Sequence, residues 1–260
     1  MSLTVTPEVE SAVASSRHRL VFAVKGDLLE ASRRCEAEVF LERFGNTRDQ
    51  LDEEYGPYRD QSVFVSLVDD ADSVVATARL IAPGARPLKT LEDCGREPWG
   101  IDGPEAARAA GIDPDTTWDV ATISARGDSR RSVLASAALY HGLILTARAY
   151  DVTATVAGLD SRVRGLLAAV GLFYRPLPGT WPADYLGSPA STPVFAPFGR
   201  MLDEQRRDVP EGYRLVTLGI GLDGVAVPSL EQFRRTRVID LRPSAAEPAE
   251  VQQVGRAAQA

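Results

Sequence analysis

The segment Arg126-Gly127-Asp128-Ser129-Arg130-Arg131-Ser132 joins a strand-like run, 118–125, to a helical run rich in Ala and Leu, 133–150. A helix start presents unpaired N–H groups and a partial positive charge, and Arg126, Arg130 and Arg131 add full charges there. That chemistry suits an anion, and a phosphate or pyrophosphate is a sensible one. A capped helix with surface arginines gives the same pattern, so the turn alone does not decide. Arg79 lies near the end of an apolar run, 73–81, where burial obliges an arginine to find a carboxylate. Either it holds Asp49 or Asp52, from the acidic loop 49–54, or it binds the carboxylate of a substrate. Arg34 either pairs with the same acidic group or lies exposed beside Arg33. His18 and His141 have no Ser or Cys at a spacing that would make a hydrolytic triad, and His141 reads as a core histidine. No CxxC or His-rich spacing suggests a metal, and none is expected.

These groups need a scaffold to bring them together. Residues 19–24 (RLVFAV) read as a strand, and 28–44 as a helix with apolar positions at Leu28, Ala31, Cys35, Val39 and Phe40, stopped by Gly45-Asn46. Runs 62–68 and 73–81 form a hairpin that turns at Asp69-Asp70-Ala71-Asp72. The stretch 84–116, rich in Gly, Pro and charge, holds short helical pieces at most. After the strand 118–125 and its helix comes a buried strand, 151–159. Asp160-Ser161 then caps a helix over 162–170, and Gly171 stands where a left-handed C-cap belongs. Residues 172–200 supply another strand or two, 213–227 an extra hairpin, and 238–241 a further short strand. The expected class is α/β, a mixed sheet flanked by helices. Its parts are a flexible lead-in (1–17), one domain (18–200), a C-terminal extension (201–242) and a disordered tail (243–260).

Composition narrows the function classes. The chain has 260 residues, 44% of them hydrophobic and 25% charged, enough for a real core. A formal charge of -7 argues against general affinity for nucleic acid or an anionic membrane. Lys25 and Lys89 are the only lysines among 29 basic residues, so arginine supplies almost all the positive charge. Cys35 and Cys94 cannot build a disulfide framework and read as free thiols in a reducing compartment. No apolar leader opens the chain and no stretch reaches the roughly 18 apolar residues of a membrane helix, so the expected location is the cytoplasm.

The order of elements from 62 to Gly171-Leu172-Phe173 resembles the GNAT acyltransferase fold. The finer resemblance is to the acyl-homoserine-lactone synthases and the N-acyl amino acid synthases. It rests on Arg34 with Val39-Phe40, on Asp49 and Asp52 as part of an acidic cluster, and on Ala78-Arg79-Leu80-Ile81. Trp118-Asp119 stands where that group has Trp-Glu, and Arg162-Val163-Arg164-Gly165-Leu166-Leu167 precedes Gly171 as in its second half. The likeness covers about residues 19 to 197, leaving out 84–116 and the C-terminal sixth. Three places depart from that group: Phe44-Gly45, Ala121-Thr122 and Thr47, all on its substrate side. The resemblance therefore implies the fold and the thioester chemistry, and leaves the lactone product open.

What it implies is N-acyl transfer from a coenzyme A or phosphopantetheine thioester to the amine of a small, carboxylate-bearing acceptor. The turn containing Arg126, Gly127, Arg130 and Arg131 would grip the phosphates, and backbone N–H groups from Ile123 to Ala125 would hold the thioester carbonyl. Asp119 would orient the amine or take its proton, unless it simply bonds a neighbouring loop. Tyr174 would donate to the departing thiolate, unless it is core. Arg34, Asp49, Asp52, Arg79 and Thr122 would face the acceptor. An acidic acyl carrier protein is the expected partner if coenzyme A is not the donor. Two alternatives stand beside this: an acyl-CoA N-acetyltransferase for a larger acceptor, and a non-catalytic module that binds an acyl thioester or a protein.

Overall fold

The structure, a computed structural model, describes residues 18–23, 25–126 and 129–235, without the side chains of 129–132 and 233–235. The expected lead-in, Gly127, the side chains of Arg130 and Arg131, the strand at 238–241 and the tail lie outside the described residues.

Strand β1 (His18–Ala23) is followed by helix α1 (Gly26–Phe44), and α2 (Arg48–Tyr55) leads through a 3-10 turn (Gly56–Gln61) into β2 (Ser62–Asp69) and β3 (Val74–Ile81). Helices α3 (Lys89–Asp93) and α4 (Gly103–Ala109) fill the stretch before β4 (Thr117–Ala125). Then come α5 (Ser129–Ala149), β5 (Ala154–Asp160), α6 (Ser161–Ala169) and three strands, β6 (Arg175–Pro176), β7 (Ala183–Tyr185) and β8 (Ser188–Pro197). The C-terminal part holds α7 (Phe198–Asp208), α8 (Pro210–Gly212), a π-turn (Tyr213–Thr217), β9 (Val225–Ala226) and α9 (Leu230–Arg235).

These strands make one nine-stranded mixed sheet in the order β6-β8-β5-β4-β3-β2-β1-β9, with β7 paired to β8. The pairs β4–β5 and β1–β9 are parallel and the others antiparallel. Both faces of β2 are covered, which is why its sequence is apolar almost throughout. Val63, Val65 and Leu67 join the core under α5, with Leu20, Ala138, Leu139 and Ile144. On the other face Leu51, Tyr55, Leu91, Val156 and Phe195 form a second cluster with α2 and α3. Helix α1 packs on that face through Leu28, Ala31 and Cys35 against Val68 and Val74, and through a chain of buried hydroxyls. Ser32 Oγ lies 2.8 Å from Ser66 Oγ, which lies 2.7 Å from Thr77 Oγ1, all buried.

Gly45 and Gly171 end their helices at φ 73° and 79°, the left-handed region where a Cβ is penalised. Asp160 caps α6, its Oδ1 accepting from Arg162 N at 2.8 Å. Two expectations fail. The acidic stretch 49–54 is helix rather than loop, because Thr47 and Gln50 close a capping box at its start. Residues 213–227 form no hairpin: after the π-turn, β9 pairs parallel to β1 at the sheet edge. His141 is a buried core histidine whose Nδ1 lies 2.8 Å from Val216 O in that turn.

Candidate active site

Strand β4 is parallel to β5 over three residues only, Thr117–Ala154, Trp118–Thr155 and Asp119–Val156. Beyond Asp119 the two strands part, leaving 120–125 paired to β3 alone and 157–160 paired to β8 alone. The register of β3 on β4 slips at the same point, passing from Arg79–Thr122 to Leu80–Val120. Ala121 is thus an extra residue in β4, a bulge that bends the strand. Backbone N–H and C=O groups of an antiparallel strand point to its two sides in alternation, so a strand that has lost one neighbour offers unpaired groups to the gap.

A cavity of about 100 Å³, partly open to solvent, sits over the gap on the α1–α3 face. Phe40, Tyr55, Lys89, Asp119, Thr122 and Tyr185 are among its lining residues. Asp119, fully buried at the apex, accepts from Thr90 N at 2.6 Å and from Thr90 Oγ1 at 2.9 Å. Burial nevertheless pushes its carboxyl up to about 7, because the two Thr90 hydrogen bonds only partly offset the loss of solvation. A second, apolar void of about 20 Å³, little more than room for one water, lies on the α5 face and shares Val120, Ile123 and Leu159 with the first. Tyr174 lines it, with its Oη 3.0 Å from Thr155 Oγ1, and burial pushes the phenol up to about 12.

Arg79 is buried and does not hold Asp49 or Asp52. Its Nε and Nη2 donate to Glu36 Oε1 and Oε2 at 2.9 and 2.5 Å, a bidentate pair, and its guanidinium lies over Tyr55 (4.5 Å) and Phe64 (4.8 Å). Thr122 Oγ1 donates to the same Glu36 Oε1 at 2.5 Å. The bulge makes this possible by setting Arg79 opposite Thr122 on the α1 face. Asp52 pairs instead with Arg33 (3.4 Å) and Arg48 (3.7 Å), while Arg34 and Asp49 are exposed. Those three residues are not brought to the cavity; the α2 capping box and the α1 register turn them to solvent. Ile123 lines both cavities, whereas Ala125 lies opposite Ala76 at the end of β4. Arg126 donates to Val74 O at 3.0 Å and pairs with Glu38.

The residues that sequence reasoning missed are Glu36, Glu54, Lys89, Thr90, Asp93 and Tyr185. Glu36 follows Cys35 on the inward side of α1 and lies four residues after Ser32, so its helical position was readable. The surrounding charged run hid it. Lys89, Thr90 and Asp93 come from α3, in a stretch with no sustained period. Among the described residues no group of His, Cys, Asp and Glu could hold a metal ion. No helix among them is long and apolar enough to cross a membrane.

No family model matches this chain, and no curated protein does. Solved structures do. FeeM, an N-acyl amino acid synthase from uncultured soil microbes, is 13% identical with a TM-score of 0.56, the match covering 74% of this chain and 95% of FeeM. BjaI, a CoA-dependent acyl-homoserine lactone synthase whose structure contains SAM and isopentyl-CoA, is 14% identical with a TM-score of 0.50, covering 85% and 98%. At such identities the likeness is one of fold alone: the mixed sheet and its helices are arranged as in FeeM and BjaI.

Proposed function

We propose that this protein is an N-acyltransferase that moves an acyl group from a coenzyme A or phosphopantetheine thioester to the amine of a small acceptor. The observation that carries the reading is the parting of β4 from β5 at a buried carboxylate, with a small apolar void on one side and a cavity that holds charged side chains on the other. The fold shared with FeeM and BjaI supports it, since both are named for acyl transfer.

In this reading the pantetheine arm runs along the open strand edges and the acyl chain enters from the gap towards the apolar void on the α5 face, which widens to receive it. The amine nitrogen attacks the thioester carbonyl carbon, and unpaired N–H groups of 120–125 receive the oxyanion. Asp119, near pH 7, takes the proton the amine sheds, directly or through a water. The C–S bond then breaks, and Tyr174, protonated at neutral pH, donates to the thiolate from the other face. Arg126, Gly127, Arg130 and Arg131, at the start of α5, are where the phosphates would sit. An acidic acyl carrier protein would dock on the same arginines, and its association would weaken with salt. The reading places the protein in the cytoplasm, with the coenzyme A pool. The aliphatic side chains around that void, Leu143, Ile144 and Met201 among them, suit a hydrocarbon acyl chain.

Native mass spectrometry against acetyl-, octanoyl- and palmitoyl-coenzyme A tests this. Saturable binding that tightens with chain length is expected; failure to bind any thioester overturns the reading, and a preference for acetyl moves it to the N-acetyltransferases.

A further inference from the structure

Helix α3 and β7 build a charged wall on the larger cavity, within and beside a segment that the sequence resemblance does not cover. Lys89 is 3% exposed, and its Nζ donates to Asp93 Oδ2 at 2.7 Å and to Glu54 Oε2 at 3.0 Å. The side chain of Asp93 is 9% exposed, and its Oδ1 completes no hydrogen bond with any described residue. A guanidinium nitrogen of Arg96, a half-exposed side chain, lies 3.6 Å from that oxygen. Tyr185 Oη lies beside Asp93 and interacts with its carboxylate, but the two meet poorly and neither Tyr185 Oη nor Asp93 Oδ1 completes a hydrogen bond of good geometry. Asp93 and Tyr185 both line the cavity. Buried polar atoms are normally well satisfied, so a carboxylate oxygen and a phenol that line one cavity and meet only poorly leave room between them for a group with N–H donors.

The charges around the cavity give that group a sign. Asp93 and Asp119 line the cavity, Glu54 bonds its lysine, and Lys89 is the one cation among the lining residues. Arg79 is spent on Glu36. An acceptor carboxylate would have to displace Asp93 or Glu54 from Lys89, whereas an ammonium would fill the open valence of Asp93.

We infer that the acceptor is a small amine carrying a second, cationic group, held by Asp93 and Tyr185 while the free amine reaches the thioester beside Asp119. A short diamine is the simplest member of this class. The inference rests on the acyl-transfer reading, and the test separates the two.

Isothermal titration calorimetry on the full chain, with free coenzyme A present, would compare 1,4-diaminobutane, butylamine and 4-aminobutanoate, which share a length and differ in the far group. The diamine is expected to bind at least about tenfold more tightly than butylamine, with 4-aminobutanoate weakest. Asp93→Asn is expected to bring the diamine down to the butylamine affinity while coenzyme A still binds. Tyr185→Phe, which removes only the Oη, is expected to weaken the diamine by a few-fold. Tightest binding by 4-aminobutanoate, no discrimination, or no binding of the diamine overturns the inference. So does a uniform loss for all three probes in folded Asp93→Asn. Failure of coenzyme A itself to bind counts against the acyl-transfer reading instead.

Discussion

Two buried ionic groups flank the larger cavity, and they differ in how completely they are paired. In the first, Glu36 receives two bonds from Arg79 and one from Thr122, and the guanidinium is sandwiched by Tyr55 and Phe64. In the second, Lys89 bridges Glu54 and Asp93 but leaves Asp93 Oδ1 without a hydrogen bond, and burial raises the Asp93 carboxyl despite the lysine. A closed group has nothing left to offer a ligand and acts as a clamp between α1, β3 and β4. An open one retains binding capacity beside the chemistry. Arg79, for which the sequence left a carboxylate partner and a substrate carboxylate both open, is spent on Glu36, and the lysine helix the sequence passes over is the better candidate for the acceptor.

The comparison breaks first on stability. Arg79→Met strands Glu36 in the core and is expected to cost about 3–5 kcal/mol in chemical denaturation, with much of it regained in the double variant Glu36→Leu/Arg79→Met. If Arg79→Met is as stable as the parent, the pair is no clamp. Asp93→Asn is expected to stay within about 1–2 kcal/mol, because Lys89 keeps Glu54, and to alter acceptor binding far more than stability.

Asp119 sharpens the picture through pH. Its carboxyl is raised in the folded state, so the folded protein holds this proton when the unfolded chain has already released it. Its contribution to stability is therefore full below about pH 4 and declines as pH rises towards 7, with a slope of at most about 1.4 kcal/mol per pH unit. Asp119→Asn should remove that decline from a pH series of denaturation curves. In turnover, kcat/KM should rise with pH to a plateau beyond 7, and Asp119→Asn should flatten the rise; an unchanged profile would remove Asp119 as the base. The smallest effect is expected from Tyr174→Phe, which loses one hydrogen bond to Thr155, about 1 kcal/mol or less in stability, with a fall in kcat if the phenol serves the thiolate.

The scaffold was readable because its signals are local. Alternation in 62–68 and 73–81, the Asp160 cap and the glycines after α1 and α6 each act within a few residues, and each element stands where they put it. Asp119 and Thr122 fall on the strand expected from the sequence for a similar reason, since β4 is one continuous run. The ionic partners were not readable. Glu36 meets Arg79 across 43 positions and Thr122 across 86, and nothing in the charged run around Glu36 distinguishes it from its exposed neighbours. Lys89 and Asp93 needed the long loop 84–116 to be folded against the sheet, which the Thr90–Asp119 hydrogen bonds and the burial of Leu88 and Leu91 fix across the sequence. Residues 213–227 misled because their alternation mimics a strand pair, while the chain instead packs the π-turn on α5 and sends β9 to the sheet edge.

The most direct test of acyl transfer is to follow free thiol release from octanoyl-coenzyme A by the purified protein, with and without 1,4-diaminobutane or butylamine, and to weigh the products by mass spectrometry. The account predicts amine-dependent thiol release matched mole for mole by an N-octanoyl amide. Octanoyl-coenzyme A that binds but is never cleaved, with either amine or a panel of amino acids present, would contradict it.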